Sequence, residues 1–201
     1  MVPCSVYAQV QAWKKVRLVH TTRNTLPNPW TVPQVVDAVH ANGSYIFLQL
    51  LAFGRATNLE LLKAEDPTLE LVGPSAISMS PSDPTPRPLK VEEIKTYVQR
   101  YAAAASKAVN GAEFDGVELH FARGCLPDQF LQDVSNKRTD EYGGSIENRT
   151  GFPLEIIETV TNSVGEDRVA FRVSPWSPWH GMRVRDPKPA FACLVSRAGV
   201  P

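Results

Sequence analysis

The sequence is short of cysteine, histidine and long apolar runs, and each shortage removes a class of function. Its three cysteines, Cys4, Cys125 and Cys193, are odd in number and far apart, so they suggest neither a disulfide framework nor a CxxC metal signature. The four histidines, His20, His40, His120 and His180, are equally scattered, and no metal site is expected. No run approaches the roughly 18 apolar residues of a membrane-spanning helix. The opening residues MVPCSVYAQV lack the charged-then-apolar plan of a signal peptide. Charge of either sign is not in excess, 21 basic side chains balancing 21 acidic ones, so there is no electrostatic footprint for nucleic acid or an anionic membrane. What remains is ordinary globular composition, 43% hydrophobic and 21% charged over 201 residues, enough for one medium domain with a core. A reducing, cytoplasmic compartment is the expectation.

Three segments have the pattern of buried strands: YIFLQL (45–50), GVELH (116–120) and RVAFRVS (168–174). Helical patterns lie between them. Residues 91–110 place Ile94, Val98, Tyr101, Ala105 and Ala108 on one face, ahead of an Asn110-Gly111 stop. Residues 145–165 open with Ser145 as N-cap, and Pro153 predicts a kink or a late start. The proline- and serine-rich stretch from Leu59 to Lys90 is expected to be a long surface excursion. Strands alternating with helices imply parallel βα units. No GxGxxG follows a strand, which argues against an open dinucleotide-binding sheet and for part of a (β/α) barrel.

Each strand carries one polar residue near its C-terminal end between apolar neighbours: Gln49, His120 and Arg172. Side chains alternate along a strand, so these three point opposite to the neighbours that pack under the helices. Barrel enzymes place their chemistry at that end of the strands. An amide, an imidazole and a guanidinium converging there suit a polar, electron-rich ligand. Singly, each is an ordinary structural group, and the pattern alone names no reaction.

The run SNKRTDEYGGSIENRT (135–150), downstream of DGVELH and LPDQFLQD (126–133), resembles the Old Yellow Enzyme family of fungal type. YIFLQLLAFGRA (45–56) and VAFRVSPWSPWHGM (169–182) match flanking segments, and the resemblance covers most of residues 35–196. It implies an α/β fold, a (β/α)8 barrel of which this chain supplies roughly strands 3–5 in one incomplete domain, residues 1–201. It further implies FMN reduced by NAD(P)H, with hydride passed to a small electron-poor alkene such as an enone. By position, Gln49 corresponds to the glutamine on the flavin pyrimidine, and Arg172 to the arginine beside flavin N1 and O2. His120 corresponds to the first of two ligands for the substrate carbonyl. Asp140, Tyr142, Asn148 and Arg149 correspond to structural members of the loop and following helix.

The resemblance breaks at HFARGC, where the family has H-x-A-N-G-Y. Arg123 stands in the place of the second carbonyl ligand, and Cys125 in that of the tyrosine that protonates the α-carbon. Arginine can donate hydrogen bonds or hold an anion but is bulkier and permanently charged. A thiol, with an ordinary pKa of about 8.5, can release a proton but is shorter than a phenol. A barrel needs about 250 residues, so two open sheet edges and weak FMN binding are expected. Two alternatives therefore stand beside the enzyme: an inactive or interaction-only remnant, and a cysteine-based enzyme using Cys125 with His120.

Family members run AWKKVVDAVHAKGS without interruption, whereas here QAWKK (11–15) and VVDAVHANGS (35–44) are separated by residues 16–34. Val16-Arg17 can be encoded by a sequence beginning GTAAG and Gln34 by CAG, the usual limits of an intron. We propose that 16–34 is a retained, translated intron. The competing account is a true insertion in which Thr31 and Gln34 form a capping box for a helix through His40. Sequencing the transcript is expected to show most messages without these codons, and an abundant message that keeps them would refute the intron.

Overall fold

The computed structural model describes residues 7–13, 19–20 and 32–199. Its elements run β1 (Tyr7–Trp13), β2 (Val19–His20), α1 (Val32–His40), β3 (Tyr45–Leu51), α2 (Leu59–Glu65), β4 (Val72–Gly73) and β5 (Arg87–Pro88). They continue through α3 (Val91–Ser106), β6 (Gly116–Phe121), α4 (Leu126–Leu131), α5 (Ile146–Arg149), α6 (Gly151–Val164), β7 (Val169–Val173) and α7 (Lys188–Arg197). The three strands read from the sequence, β3, β6 and β7, lie side by side and parallel, β6 in the centre. This is the α/β arrangement expected of a partial barrel.

Alternation along the strands decides the two faces. Val117, Leu119 and Phe121 of β6, with Ile46 and Leu50 of β3, are buried in one apolar core beneath α3 and α6. α3 contributes Ile94, Val98, Tyr101 and Ala105, and α6 contributes Phe152, Ile156 and Val160. Each helix faces the sheet because its apolar residues recur at three- and four-residue spacing. Past Ser106, α3 widens into a π-helical turn over Lys107–Gly111 before stopping, close to the expected Asn110-Gly111 end. Ser145 caps α5 through its side chain, and the chain breaks at Thr150 before α6 restarts with Pro153 in its first turn.

Two expectations are corrected. The Leu59–Lys90 excursion is not merely on the surface: it forms α2 and a short parallel pair of β4 with β5. It buries Leu62, Leu69, Leu71, Val72 and Leu89, because its apolar residues find a groove beside α3 and the strand ends. Nor are both sheet edges open. β1 pairs antiparallel with the whole of β3, from Tyr7 opposite Leu51 to Trp13 opposite Tyr45. An unpaired edge of N–H and C=O groups is a template for any extended segment, and β1 fills it. Among the described residues, no strand pairs with the far edge of β7. Of the segment 16–34, only Val19–His20 and the first turn of α1 lie among the described residues, and Thr31 lies outside them. No helix among the described residues is long and apolar enough to cross a membrane.

Where the strands begin, Asp115 pins β6 to β3. Its carboxylate accepts from the Ile46 N–H at 2.7 Å and pairs with His40 at the end of α1 at 3.0 Å. Gly116 follows, and a Cβ there would lie 2.5 Å from the Arg168 carbonyl oxygen and against the Phe47 ring. Gly116→Ala is expected to lower stability by about 1–3 kcal/mol, through forced displacement of β7 or Phe47. A lower urea midpoint at unchanged m-value checks this.

Candidate active site

The face of the sheet opposite the helices carries the polar groups. In the register of the parallel strands Gln49 lies beside Glu118, Glu118 beside Ala170, and His120 beside Arg172. Paired residues of a parallel sheet share a face, so Gln49, Glu118, His120 and Arg172 form one constellation. Its centre is Glu118, which the sequence analysis did not single out. Its Oε1 accepts from the Gln49 amide through a very short contact and from Arg172 Nε at 2.8 Å. Its Oε2 accepts from Arg172 Nη2 at 2.9 Å, completing a two-pronged ion pair. Burial pushes the Glu118 pKa up, but the hydrogen bonds from Arg172 and Gln49 outweigh it, and the net shift is downward. Arg172 is raised in turn by its bonds to Glu118. The signal was available: Glu118 is two residues before His120, the strand repeat.

His120 is largely buried, and its Nδ1 has no hydrogen-bond partner among the described residues. Burial first, then the nearby charges of Arg172 and Arg123, push its pKa down to about 4 against the pull of Glu118. It is therefore a neutral imidazole with an unused buried nitrogen. The Gln49 amide, beside the half-exposed Arg172 guanidinium, fits the polar edge of a ring that offers both N–H and C=O groups, as the pyrimidine of a flavin does. A cavity of about 860 Å³ lies beside these groups at the start of the strands, lined by Tyr45, Phe47, Phe114, Glu118, Arg168 and Ala170. A closed barrel fills that space with side-chain layers, and three parallel strands leave it open.

The loop after β6 has a rigid frame. Arg123 takes a left-handed backbone, φ 52°. Its N–H donates to Ser174 Oγ at 2.8 Å, and its carbonyl accepts from His180 Nδ1 at 2.5 Å. Gly124 must lack a side chain, since a Cβ would approach His180 Cβ to 2.7 Å. Asp128 of α4, fully buried, accepts from the Gly124 N–H at 2.9 Å and from the Gln132 amide at 2.8 Å. Burial pushes its pKa up to about 6, moderated by those two bonds and by the charge of Arg55. Gln129 donates to the carbonyls of Phe53 and Gly124 at 2.7 and 2.6 Å. Arg55 is also buried, and its guanidinium donates to the Ile77, Ser78 and His180 carbonyls at 3.1, 3.3 and 3.0 Å.

Cys125 caps α4 at only 4% exposure. A helix start lowers a thiol pKa, but burial and the neighbouring Asp128 win, pushing it up to about 12. It makes no hydrogen bond with His120, so the two do not form a nucleophile–base pair. Arg123 is exposed at the rim. Asp140, Tyr142, Asn148 and Arg149 serve the frame. Asp140 pairs with Arg138 at 2.5 Å, the Tyr142 hydroxyl donates to Glu155 at 3.0 Å, and Arg149 holds the Leu131 carbonyl at 3.0 Å. The Asn148 N–H donates to Ser145 Oγ at 3.2 Å.

Comparison with known proteins agrees with this architecture. The profile of the NADH:flavin oxidoreductase / NADH oxidase family matches residues 13–196. Chanoclavine-I aldehyde reductase fgaOx3 of Penicillium roqueforti is 47% identical over 188 residues, 94% of this chain and 45% of that protein. The probable inactive dehydrogenase easA of Claviceps purpurea is 51% identical over 153 residues, 76% of this chain and 40% of that protein. Among solved structures, Old Yellow Enzyme from Pichia sp. AKU4542 superposes with a TM-score of 0.78 at 38% identity, over 82% of this chain and 45% of that one. Morphinone reductase gives 0.76 at 36% identity, over 83% and 48%. The chain spans about half the length of the curated relatives it matches.

The buried imidazole sets a pH dependence. The unfolded chain takes a proton on His120 below about 6.5, the folded one only below about 4. Stability from neutral His120 is thus fully present above about 6.5 and lost as pH falls through about 4. Asp128 works in the opposite sense, since its raised pKa lets the folded state bind a proton first. Comparing the chain with His120→Asn isolates the histidine. Between pH 7 and 4 the wild type is expected to lose about 2–3 kcal/mol more than the variant in urea unfolding. Parallel profiles would mean His120 is not desolvated.

Proposed function

The chain belongs to the NADH:flavin oxidoreductase / NADH oxidase family, and from that premise we propose that it is the central part of an FMN-dependent ene-reductase. The observation that carries the proposal is the constellation Gln49, Glu118, His120 and Arg172 on one face of three parallel strands. FMN and NAD(P)H are the cofactors of this family. FMN, when bound, supplies to an activated alkene the hydride taken from NAD(P)H. The overall balance is one NAD(P)H and one proton consumed for each C=C saturated.

Gln49 would hold the flavin pyrimidine through its side-chain carbonyl oxygen, and Arg172 would face its electron-rich side. The carboxylate of Glu118 fixes both side chains in place. His120, neutral at working pH, would donate an N–H to the acceptor carbonyl oxygen, where negative charge develops as hydride enters at the β-carbon. A positioned neutral donor does this without carrying a competing charge into the site. The proton for the α-carbon would come from water. Cys125, its thiol pushed up to about 12, is a poorer acid than the tyrosine it replaces and does not fill that role. The acceptor is a small electron-poor alkene, and the setting a reducing cytoplasm in which Cys125 and Cys193 stay unpaired.

A catalytically inactive or interaction-only member of the family is the alternative. It is favoured by the buried Cys125 and by similarity to a relative described as a probable inactive dehydrogenase. Flavin titration separates the two. FMN is expected to saturate at one per chain with a Kd on the order of 10 µM and a shifted visible band. Gln49→Ala should weaken it about tenfold, the value of one buried hydrogen bond. No saturation by about 1 mM FMN would leave the inactive alternative.

A further inference from the structure

Arg123 is out of place by every local rule. It sits at a left-handed backbone position, φ 52°, which glycine and asparagine tolerate and a long side chain does not favour. Its guanidinium has no hydrogen bond or ion pair among the described residues, although its charge reaches His120 and helps depress that imidazole. Arg172, the other cation on this rim, is neutralised by Glu118. Among the described residues, the loop after β6 therefore presents an uncompensated positive charge in Arg123.

The backbone of Arg123 is tied to a loop that carries two tryptophans. The segment 174–180 leaves β7 and returns to the same peptide, its first residue accepting from the Arg123 N–H and its last donating to the Arg123 carbonyl. Between those two ties lie Trp176 and Trp179, 68% and 63% exposed. Large rings left in water on a loop pinned to the peptide of Arg123 are unexplained by packing. Trp179 also lies beside the ring of His180, at 6.4 Å between centroids. A cation and two exposed indoles, carried on loops tied to each other through the backbone of Arg123, are suited to a flat apolar ligand bearing an anionic group. Guanidinium and carboxylate match as a fork, and indole faces take an aryl group.

We infer that the acceptor taken by this site is an aryl-bearing or similarly flat carboxylate, held at its charged end by Arg123 and along its apolar body by Trp176 and Trp179. The inference rests on the ene-reductase proposal only for calling the ligand an acceptor. Binding itself needs no flavin. A conjugated acid is a weak electrophile because its carboxylate is already negative. Pairing with a guanidinium offsets that charge, so Arg123 would both select and activate such an acceptor.

Calorimetric titration of the full chain with trans-cinnamate and with its neutral methyl ester, with and without FMN, tests this. Cinnamate is expected to bind at least about tenfold tighter than the ester at low salt, a gap of about 1.4 kcal/mol that narrows as salt is added. Arg123→Asn suits the left-handed backbone and should fold at least as stably, and it should abolish the preference. Arg123→Lys, which keeps the charge without the fork, should retain part of it. Trp179→Ala should weaken acid and ester alike. Equal affinities in the wild type, a preference that survives Arg123→Asn, or no saturable binding of either ligand would overturn the inference. A failed flavin titration beside an intact cinnamate preference would instead count against the ene-reductase proposal alone.

Discussion

The carboxylate of Glu118 is the joint on which the concave face depends. One side chain on the central strand ties an amide on β3 to a guanidinium on β7, so three separate strands present their polar groups as one surface. Without it, Arg172 would lose its two-pronged ion pair and Gln49 would lose the bond that fixes its rotamer. The free energy involved is not mainly Coulombic. Removing two charges from water offsets much of their attraction, and what the pair contributes above all is position. His120, on the same strand and face, inherits that order. It lies in a site already crowded with charge and is kept neutral by burial.

A second set of buried polar groups does for the loops what Glu118 does for the strands. Arg55, Asp128 and Gln129 reach carbonyls and N–H groups of four loop and turn segments. Irregular backbone near a core is tolerated only when its donors and acceptors are paired. Here the pairing comes from side chains of a six-residue helix and one buried arginine. The rim is thus rigid without being regular. Arg123 can hold a strained backbone there because Ser174 and His180 fix its peptide from both sides.

How much of this is legible in the sequence follows from the range of the interactions. The three parallel strands, the two covering helices and the inward direction of Gln49, His120 and Arg172 all follow from periodicity, which is local. Glu118 follows from the same periodicity, though inside VELH it is easily passed over as a break in an apolar run. Arg55 and Asp128 are not legible, because nothing in their immediate sequence marks them as buried. Their partners lie as far away as residue 180. β1 is not legible either. Its pairing is decided by the open edge of β3, a property of the assembled sheet. Cys125 was read from its position as a proton donor, and only three-dimensional burial reveals how poor an acid it is.

The frame and the chemistry of this site are therefore separable. Gly124, Asp128 and Gln129 hold the loop through its backbone, so the side chains at 123 and 125 can change without moving it. A cysteine at 125 is small enough to withdraw into the interior, and the loop keeps its shape while the acid function is lost. An arginine at 123 does the reverse: the backbone conformation is kept at some cost in strain, and a new charge is placed at the mouth. Neutral loss at one position and costly gain at the other are different kinds of change. Decay alone accounts for the first, because burying a thiol relieves the protein of a constraint. It does not account for the second, since relaxation at a left-handed position would favour glycine or asparagine. The strain at Arg123 therefore sets it apart from Cys125, whose burial carries no comparable cost.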